Sequence, residues 1–302
     1  MRMIATAVLV AIFFSLAGCA SQPGKGSNEV GPRPCPILAN SELSSASCRQ
    51  AAADIGFQYA IMAALAYEDK GKTRLPLPDG IERVEPDEDA AKISAPGFQY
   101  AMFTRSQVGK SSELIIAYRG TDERWNDWII KNVFGSTKQN KAAIALFDVV
   151  SSKHDKVSVT GDSLGGALAT QVSICRKLHM RVALNTSPRF IRRICKGTPG
   201  LDSNENNLFL FDETGQALGI TMLINKSDQL FTPVNCIRGR DAFAQHNINS
   251  IAVCLALEAS MSSPSATQYI RKHCDVIGTI VEENGIGGPR LEQFDSICQN
   301  RG

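Results

Sequence analysis

The sequence predicts an α/β fold, a mostly parallel sheet covered by helices on both faces. Three observations predict it. Strand-like and helix-like stretches alternate along most of the chain. The composition is globular, with 302 residues, 43% apolar and 21% charged. A Gly-x-Ser-x-Gly run, Gly161 to Gly165, joins a β-branched stretch to a helix of small residues. A tight strand-to-helix turn in such a sheet has that composition.

The elements follow in chain order. Ala51 to Tyr67 carries a helical stripe through Ile55, Tyr59, Met62 and Ala66. Phe98 to Thr104 and Leu114 to Tyr118 flank a turn at Gly109-Lys110-Ser111 and read as a hairpin. Val157 to Thr160 is a short β-branched strand. Gly166 to Leu178 sets Leu168, Val172 and Cys175 on one helical face. Arg181 to Leu184, Leu208 to Phe211 and Ile220 to Ile224 read as strands, and Asn247 to Glu258 and Ala266 to His273 as helices. Such strands, buried on both sides, alternate with helices in parallel sheets.

Lys+Arg number 32 and Asp+Glu 30, a formal net charge of +2. That balance excludes a nucleic-acid binder working through bulk charge, and the apolar content excludes a disordered tail protein. The N-terminus reads as an export signal: Arg2, then the uncharged run Ile4 to Phe14, then Leu16-Ala17-Gly18-Cys19. That tetrapeptide resembles the lipobox of bacterial lipoproteins. The resemblance implies a signal peptide over 1–18, cleavage before Cys19 and acylation of Cys19. An ordinary signal peptide with a chance cysteine is the alternative. In lipoproteins, Ala20 after the cysteine implies outer-membrane sorting within the bacterial cell envelope. Residues 19–34, rich in Gly, Ser and Pro, read as a tether. Extended at about 3.3 Å per residue, the tether spans roughly 50 Å. The folded domain is expected over 35–302.

Nine cysteines less Cys19 leave eight. An even number in an exported chain reads as disulfides. Eight cysteines allow 105 pairings and the sequence does not fix the connectivity; the sequential pairing, 35–48, 175–195, 236–254 and 274–298, gives four short loops of similar length and is the choice. The rival, a zinc site, lacks a C-x-x-C or H-x-x-x-H cluster.

The chemistry centres on Ser163. Glycines on both sides allow a strained turn, and the following helix N-terminus favours developing negative charge. A serine nucleophile needs a base. In sheets of this kind the acid and then the histidine follow the serine. That order sets aside His154 and His179 and leaves His246 and His273. His246, in a loop ahead of an apolar helix, is the choice, with His273 inside a helix as the alternative. Asp228, after the apolar run 220–225 and before the loop 229–234, is the choice for the acid that orients the imidazole. Asp212, read as a hairpin-turn residue, is the alternative.

Four stretches resemble class 3 (fungal-type) lipases and related bacterial α/β-hydrolases: Ala64 to Tyr67, Ile116 to Thr121, Gly161 to Ala169, and Asn225 to Val234. The resemblance implies an α/β-hydrolase fold with Ser163, Asp228 and His246 as triad. It also implies backbone N–H groups of Thr121 and Leu164 as oxyanion donors, with no cofactor or metal. Asp162 departs from the family, which usually has His there. The interval from Asp228 to His246 is short, and residues after about 260 have no counterpart. The implied activity is hydrolysis of lipid esters at a membrane that the chain reaches through its N-terminal anchor. The alternatives are a general carboxylesterase or thioesterase, and a non-catalytic envelope lipoprotein that kept the fold. Trp125, Trp128, Ile129, Ile130 and Val133 read either as a lid or as core packing.

Overall fold

The computed structural model describes residues 45–67, 75–106, 111–120, 137–186, 195, 208–213, 230–234 and 247–299. All lie in one compact unit, Ile37–Gly302. The signal segment, Cys19 and the tether lie outside the described residues, as do the strand expected at 220–224 and the stripe 125–133.

The elements are α1 (Ser45–Leu65), β1 (Ile81–Val84), α2 (Glu88–Ala91), β2 (Tyr100–Arg105), β3 (Glu113–Tyr118) and α3 (Thr137–Ser151). Next come β4 (Val157–Asp162), α4 (Leu164–Cys175), β5 (Arg181–Leu184), β6 (Leu208–Glu213) and β7 (Leu230–Val234). The C-terminal helices are α5 (Ile248–Ala259), α6 (Pro264–Lys272), α7 (Cys274–Asn284) and α8 (Pro289–Gln299). The seven strands form one sheet in sequence order. β1, β2 and β3 pair antiparallel, and β3 to β7 run parallel. The hairpin expected around 109–111 is therefore the β2–β3 pair. Residues 230–234, expected as a loop, form β7 instead. Asp212 lies within β6, whose parallel pairing to β7 does not fit the expected hairpin turn.

Sequential order explains how the faces are covered. Right-handed crossovers between neighbouring parallel strands put their helices on one face. There α3 and α4 pack Leu146, Phe147, Leu168 and Val172 against Leu114, Ile116, Tyr118, Val157 and Val159. The other face needs helices from outside the crossovers. It takes α1, ahead of the strands, and α5, after them, against Ile115, Ala117, Val182, Leu184 and Phe211. Alternate residues of β3 thus serve opposite layers.

This position makes the helical stripe of α1 wider than expected. Ala60, Ile61 and Ala63 are buried along with Tyr59 and Met62, because α1 packs against α5 as well as against the sheet. The Gln50 side chain reaches the sulfur of Met261, just past the end of α5. The two packed helices therefore run antiparallel, and the start of α5 lies at the level of the last turn of α1.

A polar cluster sits under the lower, N-terminal end of the parallel strands. The Glu113 carboxylate accepts from Tyr59 Oη (2.5 Å), Ser158 Oγ and Arg105 Nε (2.9 Å). Arg105 also donates to Tyr59 Oη and to Gln58, and its guanidinium lies 5.1 Å from the Tyr59 ring centre. Burial, then the adjacent carboxylate, push the Tyr59 phenol far above its ordinary pKa.

Two of the expected disulfides are present. Cys175–Cys195 ties the end of α4 to the chain beyond β5, and Cys274–Cys298 ties α7 to α8. Cys254 is also disulfide-bonded. Cys35 and Cys236 lie outside the described residues. Replacing Cys274 and Cys298 with serine is expected to cost about 3 kcal/mol, the loop entropy released to the unfolded chain. For a chain of this size that lowers the melting midpoint by roughly 6–12 °C, readable by calorimetry.

Candidate active site

Strand β4 ends at Asp162 and α4 begins at Leu164, so Ser163 alone makes the turn. Its backbone has φ 58° and ψ −120°. A residue with a Cβ avoids that conformation, at about 1–3 kcal/mol. The surrounding backbone imposes it: Ser163 N–H donates to Leu184 O (3.0 Å), and its carbonyl accepts from Ala167 N–H (3.1 Å). The turn leaves Ser163 at the C-terminal edge of the sheet. Leu164, in the first turn of α4, has a backbone N–H without an acceptor inside the helix.

The glycines are demanded by contact. A Cβ on Gly161 would lie 2.4 Å from the backbone carbon of Gly165, and one on Gly165 would lie 2.1 Å from Tyr118 O. Both obstacles are backbone and cannot rotate away. Gly165→Ala is expected to cost about 1–3 kcal/mol through a forced separation of β3 from the turn, measurable by urea unfolding.

The end of β3 touches the turn directly. A Cβ on Gly120 would lie 3.0 Å from Asp162 O and 3.4 Å from Leu164 N. Tyr67, just past α1, joins the two segments. Its hydroxyl accepts from Gly120 N–H (2.8 Å) and faces both Asp162 O (3.1 Å) and Asp162 Oδ2 (3.3 Å). Arg119 lies over its ring, 5.5 Å from the centre. Burial, then the Asp162 carboxylate, raise the Tyr67 phenol well above its ordinary pKa, so it stays protonated. Sequence reasoning placed Tyr67 only as a helix end. Its partners lie 53 and 95 residues away, and no local spacing signals them.

Among the expected site residues, Ser163 and Leu164 meet at this turn. Thr121, Asp228 and His246 lie outside the described residues. The other three histidines sit elsewhere. His179 bonds through its backbone to Val157, at the opposite end of β4, and His154 is exposed in the turn ahead of β4. His273 packs edge-on against Tyr269 and lines a shallow recess with Phe57 and Gln58. Gln58 lies about 14 Å back along α1 from Tyr67, at 1.5 Å per residue. Burial, then the neighbouring Lys272 charge, lower the pKa of His273.

His246 directly precedes Asn247, the cap of α5. The Asn247 side chain accepts from Asn249 N–H (2.9 Å) and donates to Asn284 (2.9 Å). Because α5 runs antiparallel to α1, this anchored cap lies toward the end of α1 that carries Tyr67. On the sheet, Asp162, Leu184, Phe211 and Thr232 share one row. Asp212 is one step beyond that row on β6, toward the edge that carries Ser163. Asp228 precedes β7 by two residues.

A model of a family described as phospholipase-like, the Tle-like phospholipase domain, matches residues 58–181. The matched span includes Tyr67, Gly120 and the whole Ser163 turn. The match supports a lipase or phospholipase domain and does not single out the class 3 lipases. No curated protein matches the chain.

Proposed function

We propose that this chain is a serine hydrolase of lipid esters, of lipase or phospholipase A type, held at the bacterial cell envelope by acyl chains on Cys19. The observation that carries the reading is the backbone of Ser163. A strained residue between a central parallel strand and a helix N-terminus, with β3 pressed against it, is arranged for nucleophilic attack and oxyanion stabilisation. The phospholipase-like match over the same residues supplies the substrate class.

Ser163 Oγ attacks the ester carbonyl carbon as His246 takes its proton. The carbonyl oxygen becomes an oxyanion held by the N–H groups of Leu164 and Thr121. The C–O bond breaks, and the alcohol leaves with the proton from His246. Water, deprotonated by His246, then attacks the acyl-enzyme, and the carboxylic acid departs as Ser163 regains its proton. Asp228 holds the imidazole in orientation. His246 is supported by the positions of the other three histidines and by the anchored cap beside it. Gly120 N–H is taken by Tyr67, which favours the next amide, Thr121, as the second oxyanion donor.

Asp212 has its own claim as the acid, from its place at the end of β6. Asp228→Asn and Asp212→Asn separate the two, since only the true acid should cost about 10⁴ in kcat. A panel of phospholipid vesicles, triacylglycerol emulsion and short p-nitrophenyl esters tests the substrate class. Turnover of the short esters alone would favour a general carboxylesterase. Incorporation of labelled palmitate, lost in Cys19→Ser, tests the anchor.

A further inference from the structure

We infer that Tyr67 is a positioning residue that fixes the spacing between the two oxyanion donors by tying the end of β3 to the Ser163 turn. The inference rests on the reading of Ser163 as the nucleophile. One hydroxyl serves both segments. It accepts from Gly120 N–H at 2.8 Å and is within reach of Asp162 O at 3.1 Å and Asp162 Oδ2 at 3.3 Å. Gly120 immediately precedes one expected donor, Thr121, and Asp162 lies two residues before the other, Leu164.

Neither segment can take up the other's position by itself. Their backbones approach so closely that a Cβ on Gly120 would lie 3.0 Å from Asp162 O, and it would also collide with the Tyr67 hydroxyl at 2.3 Å. β3 and β4 pair in parallel only as far as Tyr118 and Gly161. Beyond that row, among the described residues, no β3–β4 ladder pair sets the distance between Gly120 and the turn, and the phenol bridges them. The ring is held in turn: Arg119 lies over it, and α1 packs against both the sheet and α5. Asp162 gives the link its charge. Burial, then the facing Asp162 carboxylate, keep the proton on the phenol oxygen, so it donates toward Asp162 while a lone pair accepts from Gly120 N–H.

A donor displaced by a fraction of an ångström stabilises an oxyanion less and leaves ground-state binding intact. Tyr67→Phe is therefore expected to lower kcat on a p-nitrophenyl ester by about 10- to 100-fold, with KM changed less than about twofold. The rate of labelling by a fluorophosphonate, which forms a tetrahedral adduct, should fall in parallel. Amide hydrogen exchange at Gly120 should be slow in the wild-type protein and faster in the variant.

An unchanged kcat in folded Tyr67→Phe, or a loss confined to KM, overturns the inference. So does rapid exchange of Gly120 N–H in the wild-type protein, a measurement that stands if the variant fails to fold. Absence of any Ser163-dependent labelling of the wild-type protein instead defeats the reading of Ser163, so the two failures are distinguishable.

Discussion

Replacing Ser163 with glycine is expected to abolish ester hydrolysis and, in the same protein, to raise stability by about 1 kcal/mol. The two effects share one cause. At φ 58° and ψ −120° a Cβ is strained, and glycine removes the strain. Part of that gain is lost to the greater freedom of glycine in the unfolded chain, so the net is smaller than the strain itself. Catalysis falls by about 10⁴ or more, since glycine carries no nucleophile. Ser163→Ala should lose activity equally and gain no stability, because alanine keeps the Cβ. Thermal melting and ester turnover on the three proteins check both halves. A serine kept here for a structural reason would give the reverse stability order.

Removing the Glu113 carboxylate is expected to be the most damaging change away from the turn. Glu113→Ala strands the Arg105 guanidinium and leaves Tyr59 Oη and Ser158 Oγ without their acceptor. Breaking one side of such a buried pair costs about 3–5 kcal/mol. Glu113 and Arg105 are 6% and 15% exposed, so solvent offers little compensation. The Arg105→Met, Glu113→Leu double variant should recover much of the loss, because it removes both charges together. Urea unfolding of wild type, Arg105→Met, Glu113→Leu and the double completes the cycle. Additive losses would mean that the pair is not coupled. Kinetics on the same proteins should change little, since the cluster lies at the end of β3 and β4 opposite Ser163.

The sequence showed those parts of the fold whose signals are local. The β-branched run before Gly161, the small residues after it and the hairpin around 109–111 each announce themselves within a few positions. What it missed depends on partners far along the chain. The run Leu230 to Val234 is short, contains Pro233 and has no alternating pattern, so it read as a loop. In the fold it pairs along β6. α1 was legible as a helix, but the all-round burial of its last seven residues was not, because that depends on α5, nearly 200 residues later. The same holds for the site. Ser163 is legible because a turn of this shape demands glycines at fixed offsets. Tyr67 is not, because its hydroxyl meets Gly120 and Asp162 only after three separate segments have packed.

The central claim is that Ser163 is a nucleophile and not merely a strained turn residue. The most direct measurement is fluorophosphonate labelling of the folded protein, with the modified peptide mapped by mass spectrometry. The account predicts one adduct, on the peptide that carries Ser163, absent from Ser163→Ala and Ser163→Gly. A folded wild-type protein that takes no label, or an adduct on another residue that persists in both variants, would contradict it.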